Sequence, residues 1–302
     1  MTDASDLVVR AGATAHGPYA LDLTPERAGW RFSGLKVVDL PAGGHVELGT
    51  GGDEMLVLPL AGGCTVEVEG QRYELAGRPD VFTAVTDHLY LPRDTTARVG
   101  SAAGGTVALP TARAERRLPV AYQGADRVRT ELRGAGQCSR QVNNYALGNE
   151  LATDHLLVCE VLTPGGNWSS YPPHKHDEHT EAERELEEIY YFAVRPGPAG
   201  PGFAFHRTYG TAQRPIDIAA EVRTGDVVLV PHGYHGPSMA APGYDLYYLN
   251  VMAGPAPDRT WLMTIDPAHD WVRDTWETQD VDPRLPLTRP VAQRPPESED
   301  RR

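Results

Sequence analysis

The chain has 302 residues, with 28 Lys and Arg against 41 Asp and Glu, and hence a formal net charge of −13. That length is ample for one large core or two ordinary ones, so neither disulfides nor a structural metal are needed for stability. Acidity without any Lys/Arg cluster argues against nucleic acid or a membrane surface as partner, and three scattered cysteines with no CxxC pair suit a reducing cytoplasm.

The opening "MTDASDLVVR" lacks the charged-then-apolar pattern of a signal peptide, and no apolar run approaches the roughly 20 residues of a membrane span. From about Leu35 to Val99 the chain reads as short strands. "LKVVDL", "GHVELG", "EMLVLPL", "CTVEVEG" and "QRYEL" alternate or carry β-branched residues between Gly, Pro and Asp, and "HLYLPRDTTARVG" adds another pair. The spacing predicts an all-β sandwich or barrel. "TARAERRLPVAYQGADRVRTELRG" is charged and aperiodic, which predicts a boundary near residue 125. A second β series runs from about Leu156 to Gly254: "LLVCEVLTPGGNW", "EIYYFAV", "GFAFHRTYG", "IDIAAEVRTGDVVLVPHGYH" and "YDLYYLNVMAG". The two series match in order, "EMLVLPLAG" with "EIYYFAV" and "DHLYLPRDTTARV" with "DVVLVPHGYHGP". This predicts a duplicated barrel whose second copy kept its histidines. "DPAHDWVRDTW" predicts a short helix. The expected division is 1–125, 126–281 and a tail over 282–302, whose Pro and charge content cannot build a core. That tail is either disordered or an extended arm on a neighbouring surface.

The stretch with chemistry in it is "GNWSSYPPHKHDEH", residues 166–179. His174 and His176 share a face if the segment is extended, and Pro172 and Pro173 favour extension. A lone His-x-His is more often surface decoration than a site, but two further features weigh against that reading. In "ELEEIYYF", Glu188, Tyr190 and Phe192 share one face and Glu187, Ile189 and Tyr191 the other, and a carboxylate heading an aromatic strand is costly to bury without a cation. In "TGDVVLVPHGYHGP" an apolar strand ends in Pro231, Gly233 and His235, a position suited to a barrel mouth. Imidazole suits zinc, manganese, iron, nickel or copper.

His-x-His, a Glu ahead of an aromatic strand, and a later G-x5-P-x-G followed by His together resemble the cupin superfamily, whose barrels hold a divalent metal on three histidines and one glutamate. The resemblance implies His174, His176, Glu188 and His235 as ligands. Eleven residues separate His176 from Glu188, far more than is usual in cupins. The intervening "DEHTEAEREL" reads as a solvated acidic loop, and Glu187 stays open as the alternative ligand. "GNWSSYPPHKHD", "LEEIYYF", "VLVPHGYHGP" and "PGYDLYYLNVMAG" resemble more closely the 5-deoxy-glucuronate isomerase family of inositol breakdown, over most of the second half and more weakly over the first.

That resemblance implies a bicupin of two jelly-roll barrels, only the second with ligands, and one divalent ion, with zinc, manganese and iron all open. It implies an aldose–ketose isomerase acting on 5-deoxy-D-glucuronate to give 5-dehydro-2-deoxy-D-gluconate. A cupin dioxygenase, a related uronate isomerase and a non-enzymatic sugar-binding barrel are the competing readings. Candidate proton carriers are Glu187, Tyr190, His232 and Tyr247, with His179 behind them. Arg140, Arg184, Arg207 and Arg223 are candidates to grip a substrate carboxylate, and Trp168 and Tyr171 are candidate pocket walls. The expected partner is a small sugar acid, and a homo-oligomer is compatible with the plan.

Overall fold

Short β-branched segments separated by glycine turns bury both their faces when the sheets curl and pack on one another. The computed structural model describes residues 4–148 and 151–290, and nearly all of their regular structure is antiparallel strand. One sheet runs in the order Val8–Val9, Val227–Val230, Glu187–Val194, Leu246–Ala253, Leu157–Thr163, Arg140–Asn144, Arg129–Arg133. Another is built on Ala121–Gln123, His88–Leu91, Asp53–Val68, Gly105–Arg113, Ser33–Leu40 and Tyr19–Leu23, with Gly44–Gly49, Gln71–Arg78 and Thr96–Ser101 completing it. Four strands from 168–240 form a smaller sheet, and His174–Lys175 pairs with Thr264–Ile265.

The strand Asp53–Val68 pairs with Gly105–Arg113 at its start and with Gln71–Arg78 at its end. It turns that corner through register shifts near Pro59 and Gly62. Gly77 makes the corner feasible: a Cβ there would lie 1.9 Å from the Gly62 carbonyl oxygen. Alternation sets the two faces. Met55, Val57, Leu89, Leu91, Val107 and Leu109 fill an apolar interior of the first half, whereas Leu56, Leu58, Tyr90 and Ala108 belong to the larger core shared with the second half.

Three segments outside the main β series find their places. Val8–Val9 pairs not within the first half but with Val227–Val228, giving the otherwise free edge of that strand a partner. The expected helix at 266–276 is a 3-10 helix over Asp270–Thr278. In the tail, residues 282–290 form an arm along the chain's own surface: Thr288 is buried against Gln141, and the Arg289 carbonyl accepts from Val85 N–H. Residues 291–302 lie outside the described residues.

The ladders also correct the match between the halves by one residue. Met55 pairs with Leu91 and Thr111, and Glu188 pairs with Val230 and Met252. Thr111 pairs in turn with Gly34, and Met252 with Leu157. Met55, not Glu54, therefore corresponds to Glu188, and Glu54 corresponds to Glu187. Hydrogen bonds repeat the correspondence. Glu187 accepts from the backbone N–H groups of Arg31, Phe32 and Ser33, just ahead of Gly34. Glu54 accepts from those of Asp154, His155 and Leu156, just ahead of Leu157.

Candidate metal centre

His174 and His235 are joined through the backbone before their side chains meet. Each donates its N–H to the other's carbonyl, at 3.1 and 2.8 Å. Gly236, at φ +109°, lets the chain pass: a Cβ there would lie 2.5 Å from the Ser170 oxygen and 2.9 Å from the His174 ring. The long insertion after His176 closes on itself, because Leu186 N–H donates to the His176 carbonyl at 2.9 Å. Glu188 therefore stands two residues beyond a segment paired to His176, and the unusual spacing leaves the geometry intact.

Most of the insertion is exposed, as its composition suggests, residues 178–182 and Glu185 among it, but one acid inside it is buried. Glu183 is only 2% exposed; it accepts from Lys175 Nζ and from the N–H groups of Asp177 and Glu178. Burial opposes the charge on Lys175, but hydrogen bonds to Asp177, Glu183 and Glu178 outweigh it and push its pKa up. Asp177 also accepts from Gly233 N–H at 2.9 Å, tying the strand of His176 to the turn that carries His235.

His174, His176, Glu188 and His235 are all buried, and each offers one ligand atom within 4.8 Å of the others. His176 Nδ1 lies 3.1 Å from the Leu186 carbonyl oxygen, and His235 Nδ1 lies 2.8 Å from that of Gly233. A carbonyl only accepts, so both Nδ1 atoms carry hydrogen, and the neutral rings turn Nε2 lone pairs inward. Those Nε2 atoms lie 3.1 Å apart and 2.9 and 2.8 Å from Glu188 Oε2. His174 Nε2 and Glu188 Oε1 are buried with no hydrogen-bond partner. Acceptors crowded on acceptors form a place that could hold a cation, and three nitrogens with one carboxylate oxygen suit a divalent ion. Burial, with the neighbouring imidazoles adding to it, holds the His174 pKa well below its ordinary value. Another buried ring, His206, is not part of the set, since Ser238 Oγ and Thr208 Oγ1 occupy its two nitrogens.

The cluster opens on a cavity of about 390 Å³ whose wall includes His174, Glu188 and Tyr190. Of the proton-carrier candidates, only Tyr190 lines it. Glu187 points the other way and is consumed by three backbone N–H groups of residues 31–33, which removes it both as base and as alternative ligand. Tyr247 is on the opposite face of its strand, against Phe82 and Arg78. His232 does not line the cavity, and the charges acting on it are those of Arg214 and Asp177. His179 is exposed. Arg184, Arg207 and Arg223 are engaged outside the cavity by Asp258, Asp217 and Glu221, leaving Arg140 as the arginine candidate in the wall. Tyr171 lines the cavity and Trp168 packs edge-on against it at 5.5 Å, itself 39% exposed. Sequence reasoning missed Arg133, Arg273, Trp261 and Trp276. The one available signal was the Arg133–Arg140 pairing across a hairpin that composition presented as a linker.

The profile of the KduI/IolB family matches residues 7–272. The 5-deoxy-glucuronate isomerase of Geobacillus kaustophilus is 42% identical over 274 residues, covering 90% of this chain and 96% of its own. That of Bacillus subtilis strain 168 is 37% identical, covering 83% of this chain and 91% of its own. Among solved structures, an IolB-like protein from Salmonella typhimurium LT2 superposes with a TM-score of 0.81 at 35% identity, covering 88% of this chain and 98% of that one. Oxalate decarboxylase from Lactobacillus farciminis shares the cupin-like arrangement of curled sheets, with a TM-score of 0.61 at 11% identity over 86% of this chain and 88% of that one. A family match over most of the chain, joined to relatives of this similarity, places the protein in the KduI/IolB family.

Proposed function

We propose that the chain isomerises 5-deoxy-D-glucuronate to 5-dehydro-2-deoxy-D-gluconate, using one divalent metal held by His174, His176, Glu188 and His235. The observation that carries the reading is the buried convergence of three imidazoles and one carboxylate on a sugar-sized cavity, in a chain 42% identical to a 5-deoxy-glucuronate isomerase. The reaction removes a proton from the hydroxyl-bearing carbon beside the aldehyde and returns one to the former aldehyde carbon. When bound, the ion supplies Lewis-acid stabilisation to the two neighbouring oxygens. The protein's own groups do the rest. The Leu186 and Gly233 carbonyls fix the tautomers of His176 and His235. Glu188 supplies the single negative charge of the set. Tyr190, in the wall beside Glu188, takes the role of proton carrier.

The same reading takes the architecture as two cupin barrels, near 1–125 and 126–281, with an arm beyond. The first barrel lacks a site because Met55 stands where the second has Glu188 and apolar side chains fill its interior. A cytoplasmic enzyme acting on a small sugar acid fits the acidic composition.

The test is anaerobic turnover of 5-deoxy-glucuronate by purified protein, with and without a chelator, followed by elemental analysis. One metal per chain, turnover without oxygen and loss of both on chelation are expected. The triple variant H174A/H176A/H235A should retain its fold and no metal. Oxygen consumption in place of anaerobic isomerisation would turn the assignment to a dioxygenase.

A further inference from the structure

The cavity that holds the His–Glu cluster has a second, cationic part. Arg133, Arg140 and Arg273 all line it. Arg133 is neutralised by Glu131 at 2.6 Å, and Arg273 faces Asp270 at 3.8 Å. Arg140 differs from both. Its guanidinium donates to the Cys138 carbonyl at 3.2 Å and sits over the Trp276 ring at 5.9 Å, and among the described residues no carboxylate pairs with it. Burial, with Arg133 and Arg273 adding to it, pushes its pKa down to about 10. Arg140 also stands directly opposite Arg133 in the hairpin ladder, where like charges repel. Elsewhere in the same wall the donors Asn250 Nδ2 and Trp261 Nε1 are buried without a partner. A partly buried guanidinium without a carboxylate partner is costly, and the cost falls when an anion enters beside it.

We infer that Arg140 is the specificity-determining residue of this cavity, gripping the carboxylate of an open-chain sugar acid whose carbonyl end meets the His–Glu cluster. The identity of the sugar rests on the isomerase reading; the preference for a carboxylate does not. Arg140 supplies the planar pair of N–H donors that a carboxylate matches. The neutral sugar with a hydroxymethyl group in place of the acid leaves that guanidinium bare.

The experiment compares metal-loaded wild type with R140Q and R140K. It reads KM and kcat for 5-deoxy-glucuronate, tryptophan fluorescence titrated with the acid and with 5-deoxy-glucose, and metal content. Loss of a hydrogen bond to a charged group predicts a KM for the acid about 10–100-fold higher in R140Q. Metal content and affinity for the neutral sugar should be unchanged, and R140K should recover part of the loss. Acid affinity in R140Q within twofold of wild type overturns the inference, as does an equal loss for acid and neutral sugar, which would mark Arg140 as structural packing on Trp276. If wild type binds sugar acids over neutral sugars but turns none over, the isomerase reading fails and the anion site stands. If wild type isomerises the acid and R140Q does so with the same KM, the isomerase stands and this inference fails.

Discussion

Neighbouring carboxylates on a strand point to opposite faces, and at Glu187 and Glu188 those faces lead to different chemistry. Glu188 enters the imidazole cluster, while Glu187 closes over the N–H groups of Arg31, Phe32 and Ser33. The substitutions Glu188→Gln and Glu187→Gln should therefore separate two properties. Glu188→Gln should lower bound metal several-fold on dialysis, because a neutral amide is a poor ligand for a dication, and should leave the unfolding midpoint of metal-free protein near wild type. Glu187→Gln should keep its metal but lose about 2 kcal/mol of stability, the scale for hydrogen bonds to a charged acceptor. Elemental analysis and thermal unfolding, run on the same preparations, check both. The opposition of the two side chains was legible in the sequence from strand alternation alone. Which of them faced the imidazole cluster was not, because both faces of Glu187–Val194 are buried and Glu187's partners lie more than 150 residues away.

Whole segments differ more from their composition than single residues do. "DEHTEAEREL" has the charge of a solvated loop and is mostly exposed, yet Glu183 inside it gathers Lys175 and two backbone N–H groups, so this one acid fastens the loop beside His174 and His176. The strand Arg129–Arg133, inside the charged segment read as a boundary, pairs with Arg140–Asn144 and brings Arg133 and Arg140 into the cavity wall. In both, charges that look solvent-directed are satisfied internally, and satisfaction cannot be read from a single segment. The arm after Asp282 behaves alike. Asp282 accepts from Arg284 at 2.6 Å and from Asn167 at 2.9 Å, and these bonds, Arg284 first, hold its pKa down to about 2. A carboxylate depressed in the folded state contributes fully above its ordinary value, near 4, and loses that contribution as pH falls through about 2. Pepsin cleavage of the arm should accordingly accelerate as pH drops from about 4 to about 2. Asp282→Asn should be cleaved faster at the upper end of that window and show a flatter pH profile. A pH profile identical to wild type in that variant would mean that the arm is held by Thr288 and Gln141 alone.

For the molecule as a whole, the long-range ties run between the halves in matched pairs. Glu54 of the first half closes over the entry to Leu157–Thr163, and Glu187 of the second closes over the entry to Ser33–Leu40. The likeness of the halves was visible in the sequence, but one residue out of register. Glutamate was matched to glutamate, whereas the residue in register with Glu188 is Met55, an apolar side chain in place of a carboxylate. A hydrophobic pattern of period two tolerates such an error until the ladders fix it. Between the clasps lies Arg78 paired with Glu160 at 2.8 Å, both side chains fully buried, with Asn143 and Tyr145 also donating to the carboxylate. No local pattern marks this pair, since its members are 82 positions apart. Removing one partner strands the other charge in the joint between the sheets, so Arg78→Met and Glu160→Gln should each cost about 3–5 kcal/mol. The double variant R78M/E160Q removes both charges and should lose clearly less than the sum of the two. Denaturant unfolding of wild type and the three variants measures this coupling. Additive losses would show that the pair contributes through packing alone, and that the two glutamate clasps carry the connection between the halves without it.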